Sequence, residues 1–307
     1  MTRSILALII TIISFTQLHA AAISCTAGKS GSFPCKSVTQ QSQVPLGRFN
    51  THPQSASNLW GYVDPDDNRE YAVIGLSNGT GVVDVTNPTN PRVVGVVPGL
   101  QSAWREVKVY SVHNNKTKKW DAYAYISTEA VGGGLQVIDL TQLPKRVSLA
   151  FADHEISTAH TLFVSNIDFS TGQPLPGLTP TLYMEGTNYR AGSNQAGLVA
   201  YSLKNPRNPK IIGRYTETYV HDVYVETFSG GRAKQCAGHD PCEVVFAWTG
   251  GDFRTIDFTD KSSPRVLGTL VYPNLGYAHS GWISPDKNYL FNNDELDEID
   301  SDARTRI

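Results

Sequence analysis

The chain has 307 residues, a formal charge of −2, 26 glycines, 17 prolines and only 18% charged residues. With no polybasic tract and no excess of positive charge, it lacks the electrostatics that draw nucleic acid or anionic lipid. Its turn-rich, weakly charged composition suits a β-protein and excludes a disordered chain.

Residues 1–22 read as a signal peptide, with Arg3, an apolar run over 5–15 and the small residues Ala20, Ala21 and Ala22 in the order that export and cleavage require. The run is too short to span a membrane. The mature chain is therefore expected to be secreted, with a charge of −3 once Arg3 is removed, and to carry no transmembrane segment. Residues 23–43 form a separate segment containing Cys25 and Cys35. With Cys236 and Cys242 the four cysteines can pair in three ways, of which the local option joins Cys25 to Cys35 and Cys236 to Cys242. His239 lies between the second pair, but a zinc site there would be short of ligands and lacks the Cys-x-x-Cys spacing. Asn78 and Asn115 head Asn-x-Thr triplets in predicted loops and are candidate glycosylation acceptors. The lysines around Asn115 read as a solvated hairpin tip.

From residue 44 to 307 one pattern returns four times. An apolar residue followed by Asp or Ser stands at Val83-Asp84, Ile138-Asp139, Tyr201-Ser202 and Ile256-Asp257, at spacings of 55, 63 and 55 residues. Each lies five residues after Gly79, Gly134, Gly197 or Asp252 and is followed by a proline-containing turn and another apolar run. The runs at 71–76, 122–127, 181–185 and 244–248 are short and rich in Val, Ile, Tyr and Phe, with no long stretch of helical period. Each repeat thus offers about four strands, which predicts an all-β fold, a β-propeller of four-stranded blades with extended loops. A carboxylate just before a turn caps backbone amides, so Asp84, Asp139 and Asp257 are expected to be structural, with Ser202 serving the same purpose.

A second set of segments precedes the repeats and aligns Arg105, His160, His221 and His279. In a propeller these positions lie at similar depth around one axis, so three imidazoles and a guanidinium would face a common funnel. Arg105, Glu106, His160, His221, Asp222 and His279 are the candidate ligand-binding residues. For a divalent metal, the candidates are His160, His221 and His279 with oxygens from Asp222 or from Asp294 and Glu295 in the acidic run 294–300. The competing structural reading has each polar side chain bind the backbone of a neighbouring blade. The chain contains no Gly-x-Ser-x-Gly elbow, phosphate-binding glycine loop after a strand, or His-Glu-x-x-His motif.

The apolar-Asp landmark with Asn-Pro-x-x-Pro resembles the LVIVD repeat. The ordered set Leu59-Trp60-Gly61-Tyr62, Trp104-Arg105-Glu106-Val107, His160-Thr161, Tyr219-Val220-His221-Asp222, Tyr277-Ala278-His279-Ser280-Gly281-Trp282 and Asp294-Glu295-Leu296-Asp297-Glu298 is similar to the choice-of-anchor B proteins. The resemblance runs from about residue 44 to the end. It implies an extracytoplasmic β-propeller and no particular reaction. Glu106 and Ser280 depart from the family pattern, where Asp and Gln are expected. A further landmark, one spacing of about 55 beyond Asp257, would fall past Ile307. The propeller is therefore expected to be incomplete at the C-terminus, with about four full blades and a portion of a fifth. The expected function is a secreted or cell-surface binding module for an extracellular protein or small molecule. The second reading is a metal-dependent hydrolase or lyase that uses Asp222 or Glu106 as base and Arg105 to hold an anion.

Overall fold

The computed structural model describes residues 22–193, 196–236 and 238–300; residues 1–21 of the expected signal peptide and the last seven residues, 301–307, lie outside them. The chain divides into two compact units, one made of residues up to 43 with 87–91, the other of 44–86 with 92 onward. The smaller unit contains a pair of short antiparallel ladders, Ile23–Ser24 with Thr39–Gln40 and Lys29–Ser30 with Phe33–Pro34, joined by a disulfide between Cys25 and Cys35. Residues 87–91 form a turn in which Asn87 Oδ1 accepts from the amide and hydroxyl of Thr89.

The larger unit consists of antiparallel sheets whose strands follow chain order. The first sheet contains Ala56–Val63, Glu70–Leu76, Gly79–Asp84 and Arg92–Pro98, and the second Val107–Asn114, Lys119–Ile126, Leu135–Asp139 and Ser148–Asp153. The third has Leu162–Ser165, Thr181–Glu185, Leu198–Ser202 and Lys210–Tyr215, with a small hairpin, Ile167–Asp168 and Gln173–Pro174, inserted after its first strand. Asp222–Phe228, Cys242–Trp248, Phe253–Asp257 and Arg265–Leu270 make the fourth, and Ala278–Ile283 pairs with Leu290–Asp294 in a two-stranded sheet. The first strands of successive sheets are neighbours, from Ala56–Val63 through to Ala278–Ile283. No described helix is long and apolar enough to cross a membrane.

The sequence landmark has a structural counterpart in every four-stranded sheet. It ends the third strand, and the ladder to the fourth strand slips by one residue just before or at it, at Val82/Val83, Val137/Ile138, Ala200/Tyr201 and Thr255/Ile256. Such a bulge adds twist and re-aims the chain into the turn. The landmark side chain then caps that turn. Asp139 Oδ1 accepts from the amide and hydroxyl of Thr141 at 2.9 and 2.6 Å, Asp257 Oδ1 from those of Thr259 at 3.1 and 2.7 Å, and Asp84 Oδ1 from the Thr86 amide at 3.1 Å. Ser202 offers only its hydroxyl, which accepts from the Lys204 amide at 3.3 Å. The recurrent glycine opens the third strand where the fourth closes on it: a Cβ at Gly79, Gly134 or Gly197 would lie 2.5 Å or less from a carbonyl oxygen of Val97, Asp153 or Tyr215. The fourth sheet uses Asp252 instead, whose carboxylate is held by Arg254 and Thr249.

Each pair of successive sheets encloses its own apolar layer. Val73, Val82, Val107, Val109 and Ile138 fill the first, Tyr125, Val137, Leu162, Leu182 and Val199 the second. Tyr183, Val223, Val245, Ile256 and Ala278 belong to a third that reaches the two-stranded sheet. This explains why the middle strands are buried on both faces and read as nearly continuous apolar runs rather than alternating ones. A disulfide between Cys236 and Cys242 lies at the edge of the last layer, so the second cysteine pair is also local. His239 Nδ1 lies 3.0 Å from Asp257 Oδ2 and supports the landmark carboxylate.

Candidate functional site

Arg105, His160, His221 and His279 stand just before or at the start of the first strands of the second, third and fourth sheets and the two-stranded sheet. Their backbones are equivalent in a specific sense: each carbonyl oxygen accepts a side-chain hydrogen bond from the preceding sheet or its approach segment. Ser57 Oγ donates to Arg105 O at 3.2 Å, Trp104 Nε1 and Ser127 Oγ to His160 O at 3.0 Å, Thr161 Oγ1 to His221 O at 2.7 Å, and His221 Nδ1 to His279 O at 3.0 Å. The sheets are thus latched one to the next. Among the three histidines only His221 makes such a latch with its own ring.

The imidazoles form a row. His221 lies between His160, at 4.4 Å between ring centroids, and His279, at 4.6 Å. Trp104 stacks on the far side of His160 at 5.4 Å. His160 Nδ1 is 2.8 Å from Glu129 Oε1, which also receives Arg190. That contact with His160, followed by the nearby guanidinium, holds the Glu129 carboxyl below its usual range. His279 Nε2 lies 3.8 Å from Glu295 Oε2. Tyr277 meets the His221 ring edge-on at 5.3 Å, and Tyr219 packs between Tyr189 and His221. Burial, with the adjacent His160 and His279, depresses the His221 pKa to about 4, so this ring is neutral at physiological pH. With Nδ1–H donated to a carbonyl, its lone pair is on Nε2.

A ring nitrogen of His221, a ring nitrogen of His279 and a carboxylate oxygen of Glu295 all lie within 4.8 Å of one another. Tetrahedral zinc ligands stand about 3.3 Å apart. Small rotations of the half-exposed His279 and exposed Glu295 would close that difference, whereas the His221 ring is already held by its Nδ1 bond to His279 O. His160 stands beside this group, oriented by Glu129. Asp294 does not join it. Its two oxygens already accept from Tyr272 Oη and from the amides of Gly276, Tyr277, Leu296 and Asp297, so it organises the turn that presents Glu295. The second cluster with metal-like proximity, Cys236, Cys242 and Asp257, has both sulfurs in a disulfide and no thiolate to offer.

The other sequence candidates gather elsewhere. Glu106 is buried and bonds Asn58 Nδ2 and Lys108 Nζ. Asp222 and the fully buried Glu185 lie close enough to this pair to feel its charges. Burial, reinforced for Asp222 by Glu106, raises the Asp222 pKa to about 7, and burial with the Asp222 charge keeps Glu185 well above the carboxylate range. Arg105 is buried against carbonyls of the first sheet and its following loop, and its guanidinium does not join the imidazole row.

Glu129, Trp104, Tyr219 and Tyr277 were not anticipated. The tyrosines had a signal, since both stand two residues before a row histidine in Tyr-x-His. Glu129 had none, because it comes from the loop after a second strand and meets His160 only through the fold. The chain matches no protein-family model and no curated protein.

Proposed function

We propose that this chain is a secreted β-propeller binding module whose ligand face is the imidazole row, and that a divalent transition metal is held there by His221, His279 and Glu295. One observation carries the reading: three side chains from two successive segments place two nitrogens and one oxygen within 4.8 Å, with the ring of the innermost, His221, already held by its Nδ1 bond to His279 O. Imidazole and carboxylate together suit zinc and its first-row neighbours better than calcium, which prefers oxygen alone. The propeller reading is supported by four sheets of one connectivity, the bulge repeated at one register, and first strands that neighbour each other in order. Two disulfides and the resemblance to the choice-of-anchor B proteins support an extracellular place.

The test is titration of metal-stripped mature chain with Zn²⁺ by calorimetry, beside His221→Ala, His279→Ala and Glu295→Gln. One site per chain, lost in both histidine variants and weakened at least about tenfold in Glu295→Gln, is the expected result. Folded variants that bind zinc as the parent does would overturn it. A metal-assisted hydrolase or lyase is favoured by one feature only: His160, held by Glu129 at 2.8 Å, stands next to the ligand set without belonging to it and could move a proton there. That reading requires turnover that disappears in His160→Ala while zinc affinity persists.

A further inference from the structure

The positive charge of Arg105 has no place in the imidazole face, and its surroundings give it another. Its side chain is almost wholly buried, 1% exposed. Nε donates to Leu76 O at 2.8 Å and Nη2 donates to Leu100 O, but Nη1 has no partner among the described residues. No carboxylate among the described residues compensates it. Glu106 next in sequence is engaged by Asn58 and Lys108, Asp153 accepts from the Glu155 amide, and Glu155 pairs with Arg214. Burial is the sole cause that lowers its pKa, to about 10, so the group keeps its charge at neutral pH. A buried guanidinium bonded only to carbonyls carries the desolvation penalty of an ion without the attraction of a counter-ion.

Arg105 lines a solvent-open pocket of about 390 Å³ between the first and second sheets. Pro98, Leu100, Leu149 and Ala152 give it apolar sides, with Leu100 and Leu149 about half exposed, and Gln136, whose Oε1 also has no partner among the described residues, and His154 provide polar groups. Among the described residues, none that lines it is acidic. His154 Nδ1 donates to Gly132 O at 2.9 Å, which leaves its Nε2 as a further polar atom. The volume is that of a small-ligand site.

We propose that this cavity binds a small organic monocarboxylate, with the carboxylate against the Arg105 guanidinium and a short apolar body against Leu100 and Leu149. The carboxylate would meet a guanidinium that has no counter-ion among the described residues, and would supply the acceptor that Nη1 lacks. This site is independent of the metal reading and stands or falls separately.

The probe is benzoate, with benzamide as its neutral isostere, titrated into the complete mature chain at constant ionic strength. The readout is the NMR signals of Arg105 Nε–H and of the Gly132 and Gly133 amides. Benzoate should shift all three saturably, and benzamide should bind at least tenfold more weakly. Ala152→Leu narrows the cavity without removing any bond to Arg105, and should weaken benzoate at least tenfold while leaving the Nε–H signal of the free protein in place. Arg105→Met also removes two backbone contacts and is the less decisive variant. Equal response to both probes, absence of a shift at Arg105, or unchanged benzoate affinity in Ala152→Leu would overturn the proposal.

Discussion

The landmark aspartates offer a perturbation whose size can be worked from contacts. Asp139 is buried and accepts from the amide and hydroxyl of Thr141 and from Arg207 Nη1. Asp139→Ala removes all three acceptors and leaves a backbone N–H, a hydroxyl and a guanidinium to find others. Hydrogen bonds to a charged group contribute about 1.5–3 kcal/mol each, but Arg207 is half exposed, and such a pair contributes about 1 kcal/mol or less. The expected loss is therefore at least about 3 kcal/mol, dominated by Thr141, or upward of roughly 6 °C in Tm. Ser202→Ala at the equivalent position removes one neutral 3.3 Å bond and should cost about 0.5–1 kcal/mol.

The pH dependence follows from the same contacts. Burial alone would raise the Asp139 pKa, but the Thr141 bonds and the Arg207 charge outweigh it and hold the carboxyl below its ordinary value. A carboxyl depressed in the folded state contributes stability that is present above its unfolded pKa of about 3.9 and lost as pH falls through the folded value. The gap between parent and Asp139→Asn should therefore be constant from about pH 5 upward and shrink in more acid solution. Urea denaturation of parent, Asp139→Ala, Asp139→Asn and Ser202→Ala at pH 7 and at low pH reads both effects. Equal costs for Asp139→Ala and Ser202→Ala, or a gap that widens in acid, would refute the reasoning.

Three further outcomes follow from the fold. Thr161→Val removes the latch to His221 O and should cost about 1–2 kcal/mol in the same assay, with Zn²⁺ stoichiometry retained. Non-reducing peptide mapping should recover Cys25 linked to Cys35 and Cys236 linked to Cys242 with no free thiol, and the double replacement of Cys236 and Cys242 by Ala should cost about 2 kcal/mol from loop closure alone. On secretion from a glycosylating host, Asn115 should carry glycan at high occupancy and Asn78 little, as read by glycopeptide mass spectrometry. Asn115 and Thr117 are exposed at a hairpin tip, whereas Asn78 Nδ2 donates to Thr51 O at 2.6 Å and Thr80 is fully buried.

Much of the strand architecture was legible because the chain repeats itself. A single apolar-Asp dipeptide says little, but four of them, each after a glycine or Asp252 and before a proline turn, locate the end of every third strand. The alternation that marks a half-buried strand is missing from Gly79–Asp84 and Leu198–Ser202 because neighbouring sheets cover both faces. The row histidines were legible for the same reason, as positions in a repeat. What repetition cannot convey is the direction of a side chain. Arg105 shares the backbone latch of the histidines, yet its longer side chain reaches Leu76 O and Leu100 O in the preceding sheet and loop. Asp294 and Glu295 are adjacent in an acidic run, but the first is saturated by five donors and only the second is free to meet His279. Glu129 acquires its partner across 31 residues of chain and carries no periodic mark.

The most direct test of the proposed metal-binding face is anomalous diffraction at the zinc absorption edge from crystals of the mature chain grown with one equivalent of Zn²⁺. The expected result is a single strong peak about 2.0–2.2 Å from a ring nitrogen of His221, a ring nitrogen of His279 and a carboxylate oxygen of Glu295. A peak elsewhere, or none at a concentration that saturates the protein in solution, would contradict it.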